Sequence, residues 1–129
     1  MERYKILIVD DDPDFLEQVK IMLSSEQFEF VFAHSQKEAE ELLTNIKPDL
    51  AILDVIMEQD DSGFVLAYKI KKKYPEVPVI ILTSLGKETR FEFEPDDNIE
   101  KKWIKADKYL EKGIRPDQIQ REVFKLLKI

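Results

Sequence analysis

The chain contains no cysteine among its 129 residues and only one histidine, His34. The absence of cysteine excludes disulfide bonds, thiolate nucleophiles and cysteine-ligated zinc, and it fits a reducing compartment. Long apolar runs are also missing, since the first one, residues 6–9, has only four residues. Such a run is too short for a signal peptide or a membrane span. We therefore expect a cytoplasmic protein with no membrane partner.

Basic residues are fewer than acidic ones, 20 against 27, which gives a formal net charge of −7. A domain of this charge repels nucleic acid phosphates, so we expect no nucleic acid partner. The densest basic segment, Lys71 to Lys73, is interpreted as the solvated face of a helix. Because the chain is short and has few glycines, we expect a single domain over residues 1–129.

Short apolar runs rich in β-branched residues predict strands that are buried on both faces. These runs are residues 6–9, 28–33, 50–53, 77–82 and 108–110. Helical patterns lie between them and after the last one. Strands that alternate with helices imply parallel, right-handed crossovers. We predict an α/β fold with a doubly wound, five-stranded parallel sheet of order 2-1-3-4-5, which is a flavodoxin-like three-layer sandwich.

Capping signals locate the starts of the predicted helices. Asp12 before Pro13 is typical of an N-cap followed by the first helical residue, and Ser35 with Glu38 fits a capping box. In the first helix an apolar face is predicted by regularly spaced side chains, namely Phe15, Leu16, Val19, Met22 and Leu23. A third helix is suggested from Phe64 onward, and Pro116 is expected to open the final one.

Polar residues follow the carboxyl ends of the predicted strands, where open α/β sheets bind their ligands. They are Asp10, Asp11 and Asp12 after the first strand, Asp54 after the third, Thr83 and Ser84 after the fourth, and Glu111 and Lys112 after the fifth. Clustered carboxylates repel one another at neutral pH unless some are protonated or a cation joins them. Oxygen ligands without histidine or cysteine favour Mg²⁺.

Four segments, taken together and in this order, resemble the receiver domains of two-component response regulators. They are Lys5–Pro13, Pro48–Asp54, Leu82–Ser84 and Tyr109–Lys112. Each segment alone is a weak signal, but their order and their places at the strand ends make the resemblance specific. The resemblance covers essentially the whole chain.

The resemblance implies a role for each site residue. Asp54 would be the phosphoacceptor, Mg²⁺ would be held by Asp10, Asp11, Asp54 and the Ile56 carbonyl, the phosphoryl group would be stabilised by Thr83 and Lys112, and Tyr109 would be a switch residue. The implied function is a signalling switch rather than an enzyme. Its phosphodonor would be a sensor histidine kinase or a phosphotransfer protein, and its output would be binding to a downstream protein that the sequence does not identify.

The chain stops directly after the last predicted helix, so we expect a receiver without an output domain. Whether it forms a homodimer is left open by the sequence. So are its cognate kinase and the signal that it carries.

Three places depart from the family pattern. Glu58 stands where most receivers have a proline, and the stretch Gly86–Lys105 replaces an alanine-rich helix. Gly113 stands where a proline in a cis peptide normally follows the lysine. A cis bond before a residue other than proline costs about 3 kcal/mol, so we expect trans or mobile geometry between Lys112 and Gly113.

Two other hypotheses remain beside the phosphorylated receiver. One is a pseudo-receiver, an interaction module that is never phosphorylated, which the departures at Glu58 and Gly113 leave open. The other is a small phosphatase or a flavin-binding protein on a similar sheet. It is weakened because Ile56 stands where a haloacid-dehalogenase-type phosphatase has its second aspartate. No phosphate-binding glycine loop follows the first strand either.

Overall fold

The computed structural model describes residues 3–55, 57, 62–83 and 106–129. Strands and helices follow one another as β1 Tyr4–Val9, α1 Pro13–Met22, β2 Phe28–Ala33, α2 Gln36–Leu43, β3 Leu50–Asp54, α3 Ser62–Lys73, β4 Val79–Thr83, β5 Lys108–Glu111 and α4 Pro116–Leu127. All five predicted strands are present, and their ends differ from the prediction by at most two residues. The stretch Gly86–Lys105, which departs from the family pattern, lies outside the described residues.

The five strands form one parallel sheet in the order β2-β1-β3-β4-β5, so the predicted order is confirmed. The register pairs Val9 of β1 with Leu53 of β3, and Asp54 of β3 with Leu82 of β4. It also pairs Thr83 with Glu111. The carboxyl ends of β1, β3, β4 and β5 therefore reach the same edge of the sheet.

Each face of the sheet carries its own apolar core, because successive strand residues point to opposite sides. Leu7, Leu53 and Ile81 lie in the cluster covered by α2 and α3, and this cluster also contains Leu43, Phe64 and Ile70. Ile8 and Ile52 lie in the opposite cluster, together with Phe15, Leu16, Val19, Ile119 and Val123 of α1 and α4. All five residues of β3 are buried. The strand that ends in Asp54 is thus held from both sides.

Three predicted helix starts are confirmed, and one of them is Pro116, the first residue of α4. Asp12 is the N-cap of α1, and its side chain accepts a hydrogen bond from the Asp14 N–H at 3.0 Å. Ser35 is the N-cap of α2 and accepts from the Glu38 N–H at 3.0 Å. Glu38 reaches back one residue further than in a standard capping box, since its Oε1 accepts from the N–H of His34 at 2.6 Å. The single histidine therefore has a structural partner at this helix start.

The basic run at the end of α3 is only partly solvated. Lys71 is 18% exposed and its Nζ lies 2.7 Å from Asp107 Oδ2. Asp107 also pairs with the start of β4, because its Oδ2 accepts from the Val79 N–H at 2.7 Å and its own N–H donates to the Val79 carbonyl at 2.8 Å. The interpretation of the run as a solvated face is thus wrong for Lys71. Lys72 is exposed, as expected.

Within the described ranges, none of the helices combines the length and the apolar character that crossing a bilayer would need.

Candidate functional site

Three carboxylates meet at the carboxyl edge of the sheet. Asp10 and Asp11 directly follow β1 and Asp54 ends β3, and one oxygen from each of the three lies within 4.8 Å of the others. Asp10 and Asp54 are 1% and 6% exposed, whereas Asp11 is exposed. The cluster is therefore buried on one side and open to solvent at Asp11.

The two carboxylate oxygens of Asp10 have different surroundings. Oδ1 accepts a hydrogen bond from the Asp12 N–H at 2.9 Å, which fixes the carboxylate against the start of α1. Oδ2 is buried and accepts no well-aligned hydrogen bond from the described residues, although the Lys112 ammonium lies 2.9 Å away as an ion pair. A buried oxygen with this coordination can still accept a further cation.

Lys112 joins the two buried acids. It follows the last residue of β5, and its Nζ lies 2.9 Å from Asp10 Oδ2 and 3.1 Å from Asp54 Oδ1. The same ammonium lies 4.7 Å from the centre of the Phe15 ring on α1. Sequence reasoning placed Phe15 only on the apolar face of its helix. Its position in the first turn after the acidic residues is the signal that could have placed it at the site.

Burial and charge shift the acidity of the site residues. Burial raises the pKa of Asp54 from 3.8 to about 6; the charge of Asp10 adds to this, and Lys112 opposes it. Burial likewise raises the pKa of Asp10, against the effect of Lys112 and the Asp12 N–H. Burial alone would lower the pKa of Lys112, but the two carboxylates outweigh it and the pKa is raised. The cluster thus has three acids and one ammonium, which contacts two of them, and the excess negative charge favours a second cation.

A glycine at the start of α3 lies directly against the main chain of Asp54. The Gly63 N–H donates to the Val55 carbonyl at 2.8 Å. A Cβ added at Gly63 would lie only 2.1 Å from the main-chain oxygen of Asp54. The sequence analysis gave Gly63 no role. Its place in the chain shortly after Asp54 is the signal that could have indicated this close approach.

The other predicted site residues are described to different extents. Thr83 ends β4 at the level of Glu111, which brings its main chain to the site edge, but its side chain lies outside the described part. Ile56 and Glu58 also lie outside it.

Tyr109 on β5 is half-buried against the α2–α3 core, and burial raises its pKa to about 12. The peptide between Lys112 and Gly113 is trans, which is one of the two geometries expected, because the described residues contain no cis bond.

Residues 6–124 match the family model described as the response regulator receiver domain. The chain belongs to this family. Receiver domains are signalling modules of two-component systems rather than typical enzymes, and phosphorylation on aspartate is general among them. The family also binds Mg²⁺ at an acidic pocket, and its members interact with histidine kinases or phosphotransfer proteins. The resemblance that the sequence motifs carried is thereby confirmed.

Curated relatives are longer regulators. The receiver domain is 37% identical over 112 residues to the regulatory protein VanR of Enterococcus faecium, a match that covers 87% of the chain and 45% of VanR. It is 38% identical over 86 residues to the response regulator protein PilR of Pseudomonas aeruginosa, covering 67% of the chain and 19% of PilR. The chain thus spans less than half the length of these two relatives.

Solved structures match over nearly the whole chain. A response regulator receiver domain protein from Methanospirillum hungatei superimposes with a TM-score of 0.80 at 25% identity, covering 98% of this chain and 95% of that one. A receiver domain protein from Clostridium thermocellum gives a TM-score of 0.78 at 26% identity, with 97% and 94% covered. The predicted fold class is confirmed by these matches and by the strand order.

Proposed function

We propose that Asp54 accepts a phosphoryl group and that the receiver domain works as a phosphorylation-dependent switch in a two-component relay. The observation that carries this proposal is the position of the Asp54 carboxylate, which is buried at a strand end, 3.1 Å from an ammonium and beside two further acids. A carboxylate nucleophile gives an acyl phosphate, which is labile enough to serve as a reversible signal. The donor would be a phosphohistidine of a sensor kinase or a phosphotransfer protein.

The acidic cluster fits Mg²⁺. Asp10, Asp11 and Asp54 supply hard oxygen ligands. The buried Oδ2 of Asp10 forms an ion pair with Lys112 but accepts no well-aligned hydrogen bond from the described residues, so it can take a further cation. By family resemblance the Ile56 carbonyl would complete the protein ligands. When bound, Mg²⁺ supplies positive charge to the oxygens of the transferring phosphoryl group.

The side chains of the protein then orient the phosphoryl group and neutralise its charge. With a pKa of about 6, Asp54 is mostly ionised at neutral pH and can attack phosphorus. The P–N bond of the donor breaks as the new P–O bond forms, and the electron pair stays with the departing imidazole. Lys112 Nζ is placed to neutralise charge on the phosphoryl oxygens, and we propose that the Thr83 hydroxyl donates a hydrogen bond to them.

The signal would be read at the β5 side of the domain. Tyr109 of β5 pairs with Ile81 of β4. Ile81 precedes Thr83 by two residues on that strand. We propose that the phosphorylated site changes the packing of Tyr109, so that a local change in charge alters the surface offered to a downstream protein.

Phosphorylation by a small acyl phosphate in the presence of Mg²⁺ tests the proposal. Intact-protein mass spectrometry should show one added phosphoryl group on the wild type and on an Asp117→Asn control, and none on Asp54→Asn. Asp117 is a suitable control because it is an exposed residue at the start of α4. Labelling that persists in Asp54→Asn would refute the site assignment. A wild type that takes no label from this donor or from candidate kinases would favour the pseudo-receiver.

A further inference from the structure

Lys112 lies in a short turn after β5, which the Ile114 N–H closes by donating to the Glu111 carbonyl at 3.1 Å. Lys112 lies just beyond β5, and Gly113 follows it in a trans peptide. Gly113 is exposed, and a Cβ added there would meet nothing within 4 Å. Glycine is the residue with the greatest backbone freedom. The turn holds the main chain of Lys112, and the position of the ammonium at the end of its flexible side chain depends on what that side chain touches.

Two kinds of group surround the ammonium. Asp10 and Asp54 attract it as carboxylates at 2.9 and 3.1 Å, and Phe15 presents its ring at 4.7 Å. The carboxylates are also the groups whose charge changes when a proton, a cation or a phosphoryl group arrives. Among these three contacts, the ring is the one whose attraction for the lysine remains unchanged through those events.

Phe15 is itself held firmly. It lies in the first turn of α1, behind the Asp12 cap and Pro13, and its N–H donates to the Asp12 carbonyl at 3.1 Å. The side chain is 9% exposed and packs in the core beneath α1 and α4. A cation over an aromatic face is attracted more strongly when water is excluded. The attraction shifts the equilibrium between the ammonium on the ring and the ammonium in solvent by roughly two- to thirtyfold.

We infer that Phe15 is a positioning residue, whose ring keeps the Lys112 ammonium within reach of the Asp54 oxygens throughout phosphoryl transfer. The electron density of the ring, and not only its volume, then influences the rate at which Asp54 is phosphorylated. This inference rests on the proposed function of Asp54. The phosphorylation rate depends on that function, whereas the placement of the lysine can be measured without it.

A series of fluorinated phenylalanines at position 15 tests the inference, because added fluorine removes electron density from the ring face with little change in shape. We expect the labelling rate with a small acyl phosphate and Mg²⁺ to fall stepwise from one to three fluorines, by roughly threefold to thirtyfold in total. The resonances of the Lys112 CH₂ group next to the nitrogen should move in step, since the ammonium attached to it lies over the ring. Phe15→Tyr should keep the rate, and Phe15→Leu should lower it.

The same series at Phe28 is the matched control. Phe28 is buried in the same core, packs against Phe30 and Phe124, and has no cation over its ring among the residues that the structure describes. Substitution there should leave the labelling rate and the Lys112 resonances unchanged. If the Phe15 series is as flat as the Phe28 series in both measurements, the inference is overturned. If Lys112 resonances respond but the wild type takes no phosphoryl group, the proposed function fails while the placement of Lys112 by Phe15 is supported.

Discussion

A Cβ at Gly63 would lie 2.1 Å from the main-chain oxygen of Asp54 and 2.8 Å from Cα of Val55. Both atoms belong to the backbone, so no side-chain rotation could relieve the contact. The first turn of α3 can approach the end of β3 this closely only because residue 63 has no side chain. The position of the proposed phosphoacceptor is therefore tied to the position of a helix on the α2–α3 face of the sheet.

Gly63→Ala should destabilise the domain by about 3 kcal/mol, because the methyl group forces backbone atoms apart. Urea denaturation measures the loss, and the labelling rate of Asp54 should fall with it. Gly113→Ala is the control, since an added methyl meets nothing there. Its stability should stay within about 1 kcal/mol of wild type. Equal losses in the two variants would contradict the close contact at Gly63.

Asp54→Asn should stabilise the metal-free protein at neutral pH. The folded-state pKa of Asp54 is raised from 3.8 to about 6, so the ionised carboxylate opposes folding. This penalty is absent below about pH 3.8 and complete above about pH 6. It corresponds to at most about 3 kcal/mol, a net figure that already includes the opposing attraction of Lys112. Urea denaturation in a chelator, from pH 7 to 4, should show the variant's advantage shrinking as the pH falls. An advantage that grows toward pH 4 would refute the assigned direction.

Mg²⁺ should raise the melting temperature of the wild type and have much less effect on Asp11→Asn. Asp11 is exposed, so its amide variant should fold normally while the cluster loses one anionic ligand. A hundredfold excess of a ligand over its Kd stabilises a protein by about 2.7 kcal/mol. Asp14→Asn, also exposed and close in sequence, should keep the full Mg²⁺ response. The acidic cluster would not be the metal site if both variants responded like wild type.

Asp107 offers a test of the contact between α3 and β4. Asp107→Ala should cost about 1–3 kcal/mol, because the Val79 N–H loses its acceptor and Lys71 its counter-ion. Asp107→Asn keeps a carbonyl oxygen for Val79 and loses only the ion pair, so a loss of at most about 1 kcal/mol is expected. The difference between the variants, measured by urea denaturation, separates the hydrogen bond from the ion pair. Identical losses would show that the ion pair accounts for the whole effect.

The sequence predicted the features that depend on local pattern. The apolar runs gave the strands, Asp12 with Pro13 marked the start of α1, and the convergence of Asp10, Asp54 and Lys112 followed because parallel strands end at a common edge. Periodicity shows which face of a helix points inward, but it does not show which atom that face touches.

Contacts between distant parts of the chain were missed for that reason. Phe15 was predicted to be buried, yet its contact with Lys112 depends on how α1 lies beside the end of β5. Lys71 belonged to a run of charges that is usually solvated, and its partner Asp107 is brought close only by the folded sheet. The close approach at Gly63 likewise depends on the position of α3 relative to β3.

The three consecutive aspartates after β1 form the whole connection between this strand and α1. Asp10 is buried with its Oδ1 bonded to the Asp12 N–H, Asp11 faces solvent, and Asp12 accepts the Asp14 N–H as the cap of α1. Three residues span about 10 Å even when fully extended. A shift of α1 along the sheet would therefore displace Asp10 as well. The placement of the acidic cluster and the placement of α1 are thus coupled through the main chain.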